Sequence, residues 1–566
     1  MRNVRITIFF SLILMVSFLA LGGRCFYLQY YKNKHFSEAC LIQQRSYRHL
    51  NPQRGVILDC RGRVLAASNG TQTIFADPQV IEDAKTTSSE LAPIVDMGAH
   101  IICQLILESS NPRFAPIKVG ASAEECDQAH KIYGIGVQSD WQRYYPMGRL
   151  AANVVGFTSL DNRGLEGIEL KYDKELGGSA ARNILFADVR RRPIRAKQQE
   201  GILTNGKGII LTIDATIQQF TRDELIKQYE NYQAESAVAI VAEPKSGAIL
   251  AMVSLPDFDP ADIRTTDPNN FRSRAITDWY EPGSIIKPVV AAIALEAGVV
   301  SKTEKIYCEN GNYHGRGFGR IGEYRRGFGN LSLREILVNS SNIGMAKIGQ
   351  RLGSDRLYEG LRLFGFGGKT GVELPGEVEG LLRPAATWDG YSVTRIPFGQ
   401  EICVTSMQLI RAFCILANGG RLVRPFLVRA VVDNDGNITE LKRPPTPVGY
   451  VVKNEVANWI VTDAMTGVVN EVGGTGKRAQ LEKWQVFGKT GTANIARSDA
   501  RGYSDQDYVA SFVAGAPAKD PAIVVLVSVR KPNRSLGKGY TGGIVASPVA
   551  AKIIEKTLTY LGCPPD

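Results

Sequence analysis

The chain has 566 residues, 44% apolar and 22% charged, and its 67 basic and 56 acidic side chains leave a net charge of +11. That apolar share excludes a disordered chain, the 57 glycines follow no three-residue period and exclude a collagen-like one, and the near-neutral mean hydropathy excludes a polytopic membrane protein. The positive excess suits an anionic partner, but with no basic block longer than Arg190–Arg192 and no nucleic-acid motif, nucleic acid is set aside in favour of a membrane surface or an anionic substrate.

In chain order, the first element is the uncharged apolar run Ile6–Gly23. As a helix it measures about 27 Å, close to a hydrocarbon core of about 30 Å. Arg2 and Arg5 precede it and Arg24 follows, so charge does not settle its orientation. A cleaved signal peptide is the alternative, but the run is long for one and the small-residue site at Leu19–Gly23 is loose. A retained single-span anchor is the reading. Residues 24–50 are polar and basic. Short strands follow at Gly55–Asp59 and Gly62–Ala67, and residues 82–132 read as mixed and more helical. The basic strip Arg190–Arg195 leads into the polar stretch Lys197–Lys207, which sets a domain boundary near residue 205.

Beyond it, strands are expected at Gly208–Ile213, Ala237–Ala242 and Ala248–Val253, with a helix at Thr216–Tyr232. Further strands are expected at Val509–Ala514 and Ile523–Val529, and a last helix at Val549–Tyr560. Strands at both ends of one segment with helices between predict a sheet assembled from distant sequence. The nine cysteines and five histidines are scattered, with no metal-ligand spacing. A few disulfides are allowed if the bulk of the chain lies outside the cytoplasm.

Three short motifs could carry chemistry. Ser284-Ile-Ile-Lys287 precedes the helical run Val289–Glu296, which Gly298 closes. Pro288 fits only near a helix start, which places Ser284 at about the N-cap, three residues from a lysine on the same face. Alone, this is a capping serine followed by an exposed lysine. Ser340-Ser-Asn342 follows an apparent helix, Leu331–Asn339; alone it is a loop. Lys489-Thr-Gly-Thr492 sits at the end of the expected strand Trp484–Gly488, where Gly491 would let a substrate approach the backbone. A phosphate loop is excluded because Lys483 stands where glycine is required. A second Lys369-Thr-Gly371 lies in a glycine-rich turn and is read as structural.

In the order S-x-x-K, S-x-N, K-T-G, the three resemble the active-site set of penicillin-recognising serine enzymes. Tyr280–Pro288, Ser340–Gly344, Thr405–Leu409, Ala417–Gly420 and Ala510–Val513 resemble class B penicillin-binding proteins, as do Arg54–Asp59 and Gly164–Glu169 of a pedestal domain. Asn342, with Phe364–Gly367 and Leu374–Glu377, makes the likeness greatest to the division-specific, penicillin-binding protein 3 type. Cys60-Arg61, Ala261, Ile285-Ile286 and Glu401 depart from its usual residues, and none of these removes a catalytic group.

The resemblance implies an α+β fold, an α/β sandwich whose central antiparallel sheet is flanked by helices, with an elongated mixed pedestal and one transmembrane helix. Its divisions would be 1–23 for the tip and anchor, 24–205 for the juxtamembrane and dimerisation-type pedestal, and 206–566 for the transpeptidase. It implies a D-Ala-D-Ala transpeptidase cross-linking peptidoglycan stem peptides at the septum, inhibited covalently by β-lactams. Ser284 would be the nucleophile, Lys287 the base, Ser340 the proton relay and Lys489 the source of positive field. Asn342, Thr490, Gly491 and Thr492 would bind substrate, and the backbone N–H groups of Ser284 and Thr492 would form the oxyanion hole. No cofactor or metal is implied. The implied setting is the cytoplasmic membrane, single-pass and in contact with its lipid, with the bulk outside and a glycosyltransferase of the shape, elongation, division and sporulation (SEDS) family and other division proteins as partners. An elongation enzyme, a carboxypeptidase or β-lactamase, and a non-catalytic scaffold are the alternatives.

Overall fold

The computed structural model describes residues 2–159, 161–187, 193–200, 202–324, 327–441, 449–497 and 502–566; the block Arg190–Arg192 lies outside them. The chain forms two compact units, Met1–Gln53 with Gly178–Asn205, and Arg54–Gly177 with Gly206–Asp566.

The first unit holds the apolar helix. It runs through Arg2–Phe26 and continues as a wider-wound turn at Tyr27–Tyr31, 30 residues in all, longer than the expected run at both ends. The flanking arginines do not stop it, because long basic side chains tolerate helix ends and reach outward to water. Among the described residues it is the one helix long and apolar enough to cross a membrane. The unit also holds a three-stranded antiparallel sheet ordered Arg45–Leu50, Ala181–Ala187, Pro193–Glu200. Part of the polar stretch after Lys197 is therefore strand, because the backbone ladder needs no apolar side chain to form.

In the second unit a mixed sheet joins distant sequence. Ile57–Leu58 lies parallel to Ile209–Ile210, which in turn pairs with Val428–Val432. On the other side Val64–Ala76 carries Ala115–Val119 and Ile135–Tyr144. A buried ion cluster braces this region. Glu169, 0% exposed, accepts from Arg54 Nε at 2.6 Å and from Arg143 Nε at 2.7 Å, while Arg54 Nη1 reaches Asp173 at 2.7 Å. The Arg54–Asp59 and Gly164–Glu169 motifs thus meet through one carboxylate.

The remainder comprises α1 (Ala215–Asn231), β1 (Ser236–Ala242), β2 (Ile249–Leu255), α2 (Lys287–Glu296), α3 (Leu333–Asn339), α4 (Asn342–Leu363), α5 (Ser406–Ala417), β3 (Phe487–Ala496), β4 (Tyr503–Ala516), β5 (Ile523–Arg530) and α6 (Ser547–Leu561). The strands and helices expected here appear with shifted bounds: β4 begins earlier, at Tyr503, the helix expected at Leu331–Asn339 starts at Leu333, and Trp484–Gly488 is strand only from Phe487. The five strands form an antiparallel sheet ordered β2-β1-β5-β4-β3. Strands β1 and β5 are apolar almost throughout because both faces are covered. Val525 and Val527 pack with Leu225, Ile554 and Leu558 of α1 and α6. Val524 and Leu526 pack on the opposite face with residues of α2, α4 and α5. This is the helix–sheet–helix sandwich expected. Asp214 caps α1 through Thr216 N–H at 2.9 Å, and the same carboxylate holds Arg61 and Arg63 at 2.7 and 2.6 Å. The eight cysteines whose side chains are described are free thiols.

Removing Glu169 would leave two buried guanidinium groups without their common anion. Glu169→Ala is expected to lower stability by roughly 3–5 kcal/mol, read as a drop in Tm. A Tm equal to that of the parent chain would show that the cluster does not brace the fold.

Candidate active site

All three motifs line or back one cavity of about 360 Å3. Its walls include Ser284, Ser340, Asn342, Thr490 and Thr492, and the Lys287 and Lys489 side chains lie buried behind them.

Ser284 is not at the N-cap of α2. It lies inside a 3₁₀ turn, Gly283–Ile286, that runs into α2 at Lys287. A 3₁₀ turn has three residues per turn, so Ser284 and Lys287 stack on one side more closely than α-helical spacing gives. The turn is fixed from behind. Gly283 (φ 55°) donates its N–H to Gly399 O at 3.1 Å, and a Cβ on Gly399 would stand 2.1 Å from Gly283 O. Among the described residues the Ser284 hydroxyl has no hydrogen-bond partner, and it faces the cavity.

The second motif is a corner between two helices. α3 ends at Asn339, and Ser340 takes a left-handed conformation (φ 60°, ψ 41°). That conformation costs a non-glycine residue about 1–3 kcal/mol. Ser341 is buried and caps α4, accepting from Gly344 N–H at 3.0 Å, so Asn342 opens the helix. The corner points the polar atoms of Ser340 and Asn342 at Lys287. Lys287 Nζ donates to Ser340 O at 2.6 Å and Asn342 Oδ1 at 2.8 Å, with Ser340 Oγ at 3.3 Å.

The third motif lies within β3 rather than after a strand. Trp484–Val486 precede the strand, which starts at Phe487, and β3 is the edge of the sheet. Alternation turns Thr490 and Thr492 to the cavity and Gly491 to the serine turn, where a Cβ would come within 2.8 Å of Ile285 and 3.0 Å of Pro282 O. Lys489 Nζ donates to Ser340 Oγ at 2.9 Å. Thr490 Oγ1 lies 2.7 Å from Thr475 Oγ1, and Thr492 Oγ1 accepts from Gly542 N–H at 3.1 Å, which leaves the Thr492 hydrogen for an incoming oxygen.

Burial sets the charge of both lysines. It lowers Lys287 to about 7, against an opposing pull from the Glu323 carboxylate. It also carries Lys489 well below the ordinary lysine range, with Lys287 pushing the same way. Other groups at the cavity were not found from the motifs. Glu281, held above the usual carboxylate range by burial, accepts from Tyr503 Oη at 3.0 Å and Glu401 N–H at 2.9 Å. Thr475 and Glu323 also stand in its walls, each far in sequence from the motif it touches. The glycine-flanked Lys369-Thr-Gly371 takes no part. It forms a turn in which Thr370 N–H bonds to Glu377 at 2.6 Å.

Residues 237–555 match the family described as penicillin-binding protein transpeptidase domain, and residues 49–211 match penicillin-binding protein dimerisation domain. The chain is 31% identical to stage V sporulation protein D of Bacillus subtilis over 559 residues, 97% of this chain and 85% of that protein. It is 29% identical to the peptidoglycan D,D-transpeptidase FtsI of Escherichia coli K12, over 93% of this chain and 87% of that one. Penicillin-binding protein 3 of Mycobacterium tuberculosis, solved with aztreonam, superposes with a TM-score of 0.71 at 26% identity, covering 92% of this chain and 98% of that one.

Gly491→Ala would push the serine turn off β3. It is expected to slow acylation by a fluorescent penicillin roughly 10- to 100-fold with little change in Tm. An unchanged rate would mean that the turn has room to spare.

Proposed function

The chain belongs to the class B penicillin-binding proteins, serine-type peptidoglycan D,D-transpeptidases, and from that premise we propose how this site performs acyl transfer and where it does so. The observation that carries the reading is the pair of buried amines meeting at one serine hydroxyl behind the cavity that Ser284 lines.

Ser284 Oγ attacks the carbonyl of the penultimate D-Ala of a stem peptide, and neutral Lys287 takes its proton. A neutral amine has two hydrogens. Ser340 O and Asn342 Oδ1 accept them, so the lone pair remains for the Ser284 proton. The oxygen of the tetrahedral intermediate receives the N–H groups of Ser284 and Thr492; losing one such donor costs about 3–4 kcal/mol of barrier. Lys287, now an ammonium with a third hydrogen, and Lys489 both donate to Ser340 Oγ; Ser340 passes its own hydrogen to the departing D-Ala nitrogen and takes the Lys287 proton in its place, which returns Lys287 to the neutral amine. The C–N bond breaks, the terminal D-Ala leaves as the free amine, and a serine ester remains. Lys489, with the Thr490 and Thr492 hydroxyls, holds the terminal carboxylate, Gly491 admits the peptide against the edge of β3, and Asn342 Nδ2 binds the peptide amide. An amine from a neighbouring strand then attacks the ester, forms the cross-link and restores the Ser284 hydroxyl. A β-lactam enters as a mimic of the donor and stops at the ester.

Residues 1–23 serve as tip and anchor, 24–205 as juxtamembrane segment and pedestal, and 206–566 as transpeptidase, with the bulk outside the cytoplasmic membrane. The basic balance suits that anionic surface. Asn342 and the likeness to FtsI favour the septum, with a SEDS-family glycosyltransferase supplying glycan strands.

Ser284→Ala is expected to abolish covalent labelling by fluorescent penicillin; retained labelling would remove Ser284 as nucleophile. Lys287→Ala is expected to cut the acylation rate at least about 100-fold with Tm preserved. In the parent chain acylation should rise with pH through a midpoint near 7, because the base must be neutral and burial lowers Lys287 to about 7. A fluorescent fusion should gather at the septum, and dispersal along the lateral wall would favour an elongation role.

A further inference from the structure

Glu323 follows the short strand Gly319–Gly322 and stands in the wall of the cavity. Its Oε1 accepts from Ser341 Oγ at 2.6 Å and Ile343 N–H at 3.1 Å, and its Oε2 accepts from Asn342 N–H at 2.7 Å. These three residues are the cap and first two positions of α4. Ser341 already satisfies Gly344 N–H. The carboxylate meets the next two open N–H groups and puts a negative charge at the positive N-terminal end of α4, whose first stretch runs to a break at Gly353 (φ 75°). Asn342, held from behind in this way, is also tied to Gly322 O through Nδ2 at 3.1 Å, and its Oδ1 receives Lys287 Nζ.

We infer that Glu323 is a positioning residue for acyl transfer: it locks the Ser340–Asn342 corner against Lys287 and sets a carboxylate close behind that base. The inference rests on Lys287 being the base. The groups that face Lys287 are Ser340 O and Oγ and Asn342 Oδ1 from the helix corner, the Lys489 amine from β3, and the Glu323 carboxylate beyond Asn342. Burial favours neutral Lys287. Glu323 favours the charged form and so keeps the pH at which the base becomes competent from falling further. The same charge helps Lys287 keep the proton it has taken until the leaving group needs one.

The test is the pH profile of acylation by fluorescent penicillin in the full-length, detergent-solubilised protein. Glu323→Gln keeps an acceptor oxygen and removes the charge. It is expected to move the midpoint of the acid limb down by about half a unit or more, with labelling still on Ser284. Glu323→Asp keeps the charge on a shorter arm. It is expected to hold the parent midpoint while the plateau rate falls severalfold, and it serves as the readout should the glutamine variant fail to fold. A midpoint that stays in place or rises in Glu323→Gln, or one that falls in Glu323→Asp, overturns the inference. A parent profile with no limb near neutral pH would instead sink the assignment of Lys287 as base, so the two failures are distinguishable.

Discussion

Two buried amines around one hydroxyl are the constraint on which the rest of this site depends. Unit charges about 4 Å apart at an effective dielectric constant near 20 repel by about 4 kcal/mol, and both Lys287 and Lys489 donate to Ser340 Oγ without reaching solvent. The stable arrangement gives up at least one charge. Function needs the same thing, since a lysine acts as a base only when neutral and stays one near neutral pH only where water cannot solvate its ammonium form. The large apolar core under α2 therefore acts in catalysis as well as in folding: Val289, Val290 and Ala291 are fully buried in the helix that carries Lys287, and the lysine is buried with them.

Holding that pair in place takes a backbone feature that local preference disfavours. Ser340 sits in a left-handed conformation between α3 and α4, and its carbonyl and hydroxyl both turn to Lys287. The capping box at Ser332 and Glu335 starts α3 and Ser341 starts α4, so the two helices over-determine the corner between them. On the other side, close glycine contacts at Gly283, Gly399 and Gly491 press the serine turn against the edge of β3.

Much of this could be read from the residues. The β1 and β5 runs announced a sheet covered on both faces, and the three motifs in order announced the chemistry. The structure departs from the sequence locally. Pro288 marks a helix start and so points to an α-helical cap at Ser284, and the tighter turn ahead of that proline leaves no mark in sequence. The apolar run Trp484–Gly488 points to a strand ending before the last motif; its first three residues instead precede β3 and its last two open it. Glu323 and Thr475 are invisible because a carboxylate just past a hairpin strand and a threonine in a glycine-rich loop acquire their roles only from what folds against them. The helical span outgrew its apolar run because hydropathy marks the greasy part of a helix, while the backbone continues through the arginines at its ends.

The strand order β2-β1-β5-β4-β3 has a consequence for how the molecule comes into being. Its first two strands end by Leu255 and its last three begin at Phe487. The central sheet therefore cannot close until nearly the whole chain is available. Ile57 likewise waits for Ile209, and that strand for Val428. Such long-range pairing makes for slow assembly, because loop closure must precede any reward from contacts. As the chain emerges, β1 and β2 present apolar faces with one edge unpaired, an aggregation hazard of the kind that holding chaperones exist to cover. The nucleophile, the base and the relay are all made before β3, yet they remain inert groups on an open scaffold until Lys489 and its strand arrive. Activity therefore switches on at the close of folding, and a chain cut short before β3 would carry most of the catalytic residues and none of the catalysis.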